Sequence, residues 1–385
     1  MSWDLPGALG ELEASGLRRR LRTLEPAADG RVVCAGRTLH NFASNDYLGL
    51  AGSAFLREAL AAAVQTWGAG AGASRLVTGT TRAHAELEAA LADFKGTEAA
   101  LSFASGHATA MGTLPALLGP GDTILLDKLS HACLVDAARL SGATIRVFPH
   151  NHLGKLGRLL AVARGRVLIV TESVFSMDGD TAPLRDIVEL KERHGAWLLV
   201  DEAHGVGVLG PQGRGLAAAA GLEGRIELQM GTLSKALGLS GGYLAAAQPV
   251  IDLLVNRARS FIYSTAPPPA LAAAARQALA WTAGDAGTAA RARLRANVDR
   301  LAAALELPSP PAAILPVILG AEQAALDAAE RLLEAGFLVP AIRYPTVARG
   351  AARLRVTLTA AHTPAEIDAL ATALHSLRKV SAARS

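Results

Sequence analysis

"AWLLVDEAH", residues 196–204, is an apolar run from Ala196 to Val200 that ends abruptly in Asp201, Glu202 and His204. A strand with one wet face alternates apolar and polar residues. An unbroken run is a strand buried on both faces. The same form recurs in "DTILLD" (122–127), "RVLIVTES" (166–173), "IELQMGTLSK" (226–235) and "GGYLAAA" (241–247). Between several of them lie helix-like stretches such as "HACLVDAARLSG" and "PLRDIVELKERHG". Strands alternating with helices imply an α/β fold, a mostly parallel sheet covered by helices.

The 385 residues exceed one compact core, so a large domain and a smaller one are expected. Composition shifts after "STAPPPA" (264–270): residues 271–306 are Ala-rich, Arg-studded and helical. Strands follow in "AAILPVILG", "GFLVPAIRYP" and "ARLRVTLTA". The expected parts are an N-terminal helical segment (1–44), a large domain (45–270) and a small C-terminal α+β domain (271–385). Residues 99–121 carry no Asp, Glu, Lys or Arg. Their glycines, prolines and hydroxyls read as a buried helix and a loop, not a membrane span.

Hydrophobic residues make up 51% and charged residues 19%, as in a soluble globular enzyme. The net charge of +4 is spread out, with "RRRLR" (18–22) the one arginine cluster, so no nucleic-acid partner is expected. Cys34 and Cys133 have no metal-ligand spacing, which fits a reducing cytoplasm and no metal site. The N-terminus carries early acids and no apolar core, unlike a signal peptide.

Open α/β sheets bind ligands at the C-terminal ends of their strands. Those ends offer Asp201 and His204; Glu172, Ser176 and Asp178; His131; and Thr232, Ser234 and Lys235. Lys235 sits in "GTLSKALG" (231–238) with no carboxylate beside it. Such a lysine loses its proton readily, because burial disfavours the charged form. A neutral amine condenses with an aldehyde. Pyridoxal phosphate needs a lysine, an acid against its ring nitrogen, and phosphate donors. Lys235, Asp201 and Thr232 with Ser234 supply these. Two rival motifs fail. "DEAH" without a G-x-x-x-x-G-K-[ST] loop does not make a helicase. "GLSGG" (238–242) puts its serine before a strand, the reverse of a hydrolase elbow.

Motifs along nearly the whole chain resemble the α-oxoamine synthases, fold-type I pyridoxal phosphate transferases. They include "NFASNDYLGL" (41–50), "SFASGH" (102–107), "LSHACLVDA" (129–137), "TESVFSMDGDTAPL" (171–184), "VDEAHGVGVLGPQGRG" (200–215), "GTLSKALG" and "FIYSTAPPP" (261–269). The resemblance implies that Lys235 holds the cofactor covalently and that His131 stacks on its ring. It implies Asp201 at the ring nitrogen, His204 with Ser176 at the ring hydroxyl, and Thr232 at the phosphate. Gly106 and His107 offer backbone amides there, and Thr265 arrives from the partner of a homodimer with shared sites. Arg355 and Asn45 are implied for the amino-acid carboxylate and Thr346 for substrate contact. Arg18, with Arg19 and Arg20 as fallbacks, is implied for a distal carboxylate. His107 and Ala110 depart from the family's usual aromatic and asparagine. The implied reaction joins L-alanine to a pimeloyl thioester of coenzyme A or an acyl carrier protein. The alternative within the family is glycine C-acetyltransferase or another α-oxoamine synthase.

Overall fold

The computed structural model describes residues 3–27 and 30–382. Contacts divide the chain into two units: Met1–Ser44 with Ala296–Pro310 and Ile314–Ser385, and Asn45–Arg295 with Pro311–Ala313.

The first unit begins with a helix, Leu5–Ala14, capped by the Asp4 carboxylate, which accepts the Gly7 N–H at 2.8 Å. Among the described residues, the rest of the expected helical segment contains no further α-helix. It forms the antiparallel strands β1 (Glu25–Pro26), β2 (Val32–Cys34) and β3 (Arg37–Asn41). "VVC" and "RTLHN" are short and rich in β-branched residues around the Ala35–Gly36 turn, where both φ angles are positive.

The second unit holds β4 (Ala99–Phe103), β5 (Thr123–Asp127), β6 (Thr144–Phe148), β7 (Val167–Glu172), β8 (Trp197–Asp201), β9 (Leu228–Thr232) and β10 (Gly242–Ala246). Their order is β4-β10-β9-β8-β7-β5-β6. β10 runs antiparallel to both neighbours, and the β9-β8-β7-β5-β6 pairings are parallel. The expected mostly parallel sheet is present. Alternate residues enter opposite cores: Ile124, Leu168 and Leu199 on one face, Leu125, Ile169 and Val200 on the other. Each such side chain contributes about 1.5–3 kcal/mol by leaving water. Leu199→Ala would cost about 2–5 kcal/mol.

Two strands of this unit were illegible. Residues 99–103, expected to be helix, form β4 with all five residues buried. The helix of that stretch starts only at Gly106 and runs to Leu117. β6 is a mostly exposed edge strand, so its "TIRVF" lacks the apolar signature. The helix Leu184–His194 buries Ile187 and Val188 and places Lys191, Arg193 and His194 in its last turn. Gly195, with φ +64°, ends it and turns the chain into β8.

The first unit resumes with β11 (Ile314–Gly320), β12 (Phe337–Leu338), β13 (Ala341–Ile342) and β14 (Ala352–Thr357). β11-β14-β13 form an antiparallel sheet, and β12 pairs in parallel with β3. The expected strand "GFLVPAIRYP" is thus two short ones, interrupted at Pro340, which has no N–H for a ladder. No helix among the described residues is long and apolar enough to cross a membrane.

Candidate cofactor site

The C-terminal ends of β7, β8 and β9 meet around a cavity of about 200 Å³. Glu172 ends β7, Asp201 ends β8 and Thr232 ends β9. His131, His204, Ser234 and Lys235 complete one part of the wall, with Ser105, Gly106 and His107 on another. Residues from widely separated motifs therefore share one space.

Asp201 Oδ1 accepts the Ala203 N–H at 2.9 Å. Burial pushes the Asp201 carboxyl up, and the Lys235 charge and the bond from the Ala203 N–H offset this only in part. Lys235 is half-buried. The carboxylates missing beside it in sequence are supplied by the fold, since its charge acts on both Asp201 and Glu172.

His131 caps the helix Ala132–Ser141. Its Nδ1 accepts the Cys133 N–H at 3.2 Å and lies 3.0 Å from Cys133 Sγ. Burial holds its pKa below the usual histidine value. The ring is therefore neutral, with its proton on Nε2. The His131 backbone N–H donates to Glu172 Oε1. Burial also pushes the Cys133 thiol up to about 12, so it is a packed neighbour rather than a nucleophile.

His204 Nδ1 meets Tyr47 Oη, and Tyr47 Oη donates to Asn45 Oδ1 at 3.2 Å. Thr232 Oγ1 donates to Gly241 O at 2.7 Å, accepts the Ser234 N–H at 3.2 Å and lies 2.8 Å from Ser234 Oγ. With the Thr232 proton held by a carbonyl, exposed Ser234 is the readier hydroxyl donor.

The helix Gly106–Leu117 opens at this cavity, capped by Ser105 Oγ, which accepts the Ala108 N–H at 3.0 Å. The N–H groups of Gly106 and His107 belong to its first turn, where no intrahelical acceptor exists. They form an anion cradle. A Cβ at Gly242 would lie 2.5 Å from Gly106 N and from Ser105 C. Only glycine lets β10 approach this helix start. The donor set fits pyridoxal phosphate: an amine, a buried carboxyl, hydroxyls and helix-start N–H groups.

Not every expected residue lines the cavity. Ser176 is half-buried in the loop after β7 and is not part of the wall. Thr265 is exposed and bridges Ser74 in antiparallel fashion. Arg18, Thr346 and Arg355 belong to the other unit. Arg355 is buried on β14 and donates to Thr357 Oγ1 at 3.0 Å. Arg18 Nη1 bonds Glu13 Oε2 at 2.9 Å. Thr346 is exposed, its N–H donating to Arg343 O at 3.0 Å. Sequence reasoning missed Tyr47, Ser105 and Cys133 as parts of the site. A lone aromatic, a helix-capping serine and an unpaired cysteine carry no chemical signature.

Sheet and cavity define a fold-type I, pyridoxal phosphate-dependent transferase. The family model for class I and II aminotransferases matches residues 37–374. A serine palmitoyltransferase from S. paucimobilis, solved with a bound PLP–myriocin aldimine, superposes with a TM-score of 0.92 at 30% identity, covering 98% of this chain and 97% of that one. The 8-amino-7-oxononanoate synthase of Francisella tularensis superposes with a TM-score of 0.77 at 27% identity, covering 90% of this chain and 98% of that one. The 8-amino-7-oxononanoate synthase of Methylobacterium radiotolerans is 50% identical over 376 residues, 96% of each chain. That of Geobacter sulfurreducens is 47% identical over 386 residues, 98% of this chain and 99% of that one. The chain belongs to the 8-amino-7-oxononanoate synthase family, whose members are pyridoxal phosphate-dependent acyltransferases.

Proposed function

We propose that the chain joins L-alanine to a pimeloyl thioester, giving 8-amino-7-oxononanoate, carbon dioxide and the free thiol, a step of biotin biosynthesis. The observation that carries the reaction class is the convergence of Lys235, Asp201 and the helix-start cradle on one cavity. The choice of substrates is supported by the full-length likeness to synthases of that name.

Bound pyridoxal phosphate supplies the electron sink for charge developing at the amino acid's α-carbon. The protein's residues do the rest. Lys235 Nζ anchors the cofactor and, once released by substrate, takes the α-proton. Asp201 holds a proton at the ring nitrogen, which keeps the sink effective. His131 would stack on the ring, with its Nε2–H free to donate. His204 engages the ring hydroxyl, with Ser176 as its helper. Gly106 and His107 N–H, Ser234 and Thr232 take the phosphate. Arg355 and Asn45 take the alanine carboxylate, Thr346 contacts substrate, and Arg18 takes the far carboxylate of the pimeloyl chain. These assignments rest on the matched motifs. The working unit is a homodimer in which Thr265 serves the partner's site. The acyl donor is carried by coenzyme A or a carrier protein, and the reaction runs in the cytoplasm.

A panel of amino acids against acyl thioesters, read by mass spectrometry of the products, tests this reading. Alanine with pimeloyl thioester should give the dominant product. Glycine with acetyl thioester as the preferred pair would instead support glycine C-acetyltransferase.

A further inference from the structure

We propose that Tyr47 is a positioning residue that fixes which nitrogen of His204 carries the proton. The inference rests on reading this cavity as the cofactor site. Tyr47 lies in "NDYLGL" and is completely buried, at 0% exposure, so its hydroxyl proton must go to a protein acceptor. A phenol has one proton. Here Tyr47 Oη donates it to Asn45 Oδ1 at 3.2 Å, an oxygen that only accepts. Toward His204 the phenol therefore presents a lone pair. Its contact with His204 Nδ1 is a hydrogen bond only if Nδ1 carries the hydrogen.

Nδ1 thus carries the hydrogen of the His204 ring, and in the neutral tautomer that this sets, the lone pair is on Nε2. His131 is set the other way, because its Nδ1 accepts a backbone N–H. Two histidines of one wall are fixed in opposite tautomers by the groups at their Nδ1 atoms, Tyr47 Oη for His204 and the Cys133 N–H for His131. His131 offers a donor through Nε2. His204 offers an acceptor, suited to the hydrogen of a ring hydroxyl. Tyr47 acts only through His204, and Asn45 holds Tyr47 in its donating direction.

The decisive measurement is the ¹⁵N spectrum of histidine-labelled protein freed of cofactor, with His204 assigned by its loss in His204→Asn. His204 should show a protonated Nδ1, and Tyr47→Phe should move that proton to Nε2 while His131 stays unchanged. Asn45→Asp, which keeps an acceptor, should preserve the tautomer, and Asn45→Leu should disturb it. This second pair decides the matter should Tyr47→Phe fail to fold. Titration with pyridoxal phosphate should show Kd raised about three- to tenfold in Tyr47→Phe, the size of one lost neutral hydrogen bond. It should show no further loss when Tyr47→Phe is added to His204→Asn. A parent His204 protonated on Nε2 or on both nitrogens, or a tautomer indifferent to Tyr47→Phe, overturns the proposal. A chain that binds no pyridoxal phosphate would sink the cofactor reading instead and leave the spectral result standing.

Discussion

Glu172 and Asp201 are register partners on adjacent parallel strands, β7 and β8, so two buried carboxyls face one cavity side by side. Burial first, and then the Asp201 charge, push Glu172 well above the usual glutamate value. Two like charges in so dry a place do not coexist cheaply. Burial raises both carboxyls, Glu172 the further, so Glu172 is the readier to hold a proton and Asp201 the readier anion for a cationic ring. The two titrate as a pair.

A pH dependence follows. Glu172 is protonated in the folded chain at pH values where the unfolded chain has lost that proton. Its contribution to stability is complete below about 4.5. It is lost as pH rises toward the folded value. Glu172→Gln keeps an acceptor for the His131 N–H and removes the titration. Melting temperatures from pH 5 to 8 should therefore show the variant gaining on the parent as pH rises. A constant difference would mean that Glu172 is ionised in the folded protein. Glu172→Ala also removes the titration but strips the acceptor from a buried N–H, so it should lie about 1–3 kcal/mol below Glu172→Gln at every pH.

His150 lies between Asp127 Oδ1, at 3.1 Å, and Asp180 Oδ2, at 2.7 Å. It ties the end of β5 to the loops that follow β6 and β7. Burial opposes its charge, but the bonds to both aspartates outweigh this and push its pKa up to about 10. The stabilisation is present in full below pH 6.5 and is lost as pH rises through about 10. His150→Gln should cost roughly 1–2 kcal/mol at pH 7, a figure reduced for solvent around Asp180. The gap to the parent should close above pH 10 in chemical denaturation. A gap that persists there would show that packing, not charge, is at work.

Lys235→Ala should abolish turnover while leaving a folded protein that binds pyridoxal phosphate without a covalent bond. Mass spectrometry after borohydride treatment checks the bond, and dialysis checks retention. Turnover within tenfold of the parent would remove Lys235 from the mechanism. Mixing Lys235→Ala chains with Thr265→Ala chains should restore part of the activity that each lacks alone, through dimers with one intact composite site. No recovery after mixing and refolding would argue that Thr265 serves its own chain or none.

Arg18 is paired with Glu13, and both side chains are largely open to water. Exposed pairs of this kind contribute only about 0–1 kcal/mol, so a substrate carboxylate can displace Glu13. Arg18→Ala should lower kcat/KM for pimeloyl thioester about ten- to a hundredfold, the worth of one charge-assisted bond. A thioester of similar length without the terminal carboxylate should be unaffected. Equal losses with both substrates would assign Arg18 to the fold.

The buried strands were legible where they are covered on both faces, as in β5, β7, β8 and β9, because burial demands unbroken apolar runs. β4 was hidden by the same logic. It leads through two residues into a buried helix, and an apolar stretch without charges has no period that marks the change. β1 to β3 and β6 are exposed or very short, so solvent removes the constraint that would reveal them. The chemical groups of the site stood at strand ends and could be read. Its supports could not. Tyr47 and Cys133 matter through a hydrogen bond to one atom of a histidine, and only the folded geometry supplies that atom.

β4 joins the large sheet through β10 alone, a strand encoded far downstream. A newly synthesised chain can assemble β5 to β9 largely from neighbours in order, but β4 must wait with an unpaired edge until β10 emerges. The helix that follows β4 carries the anion cradle, so the cradle is delivered last. A partly made polypeptide would already hold Asp201 and Lys235 but could not grip a phosphate. Cofactor capture thus waits on the closing of the long loop between Phe103 and Gly242.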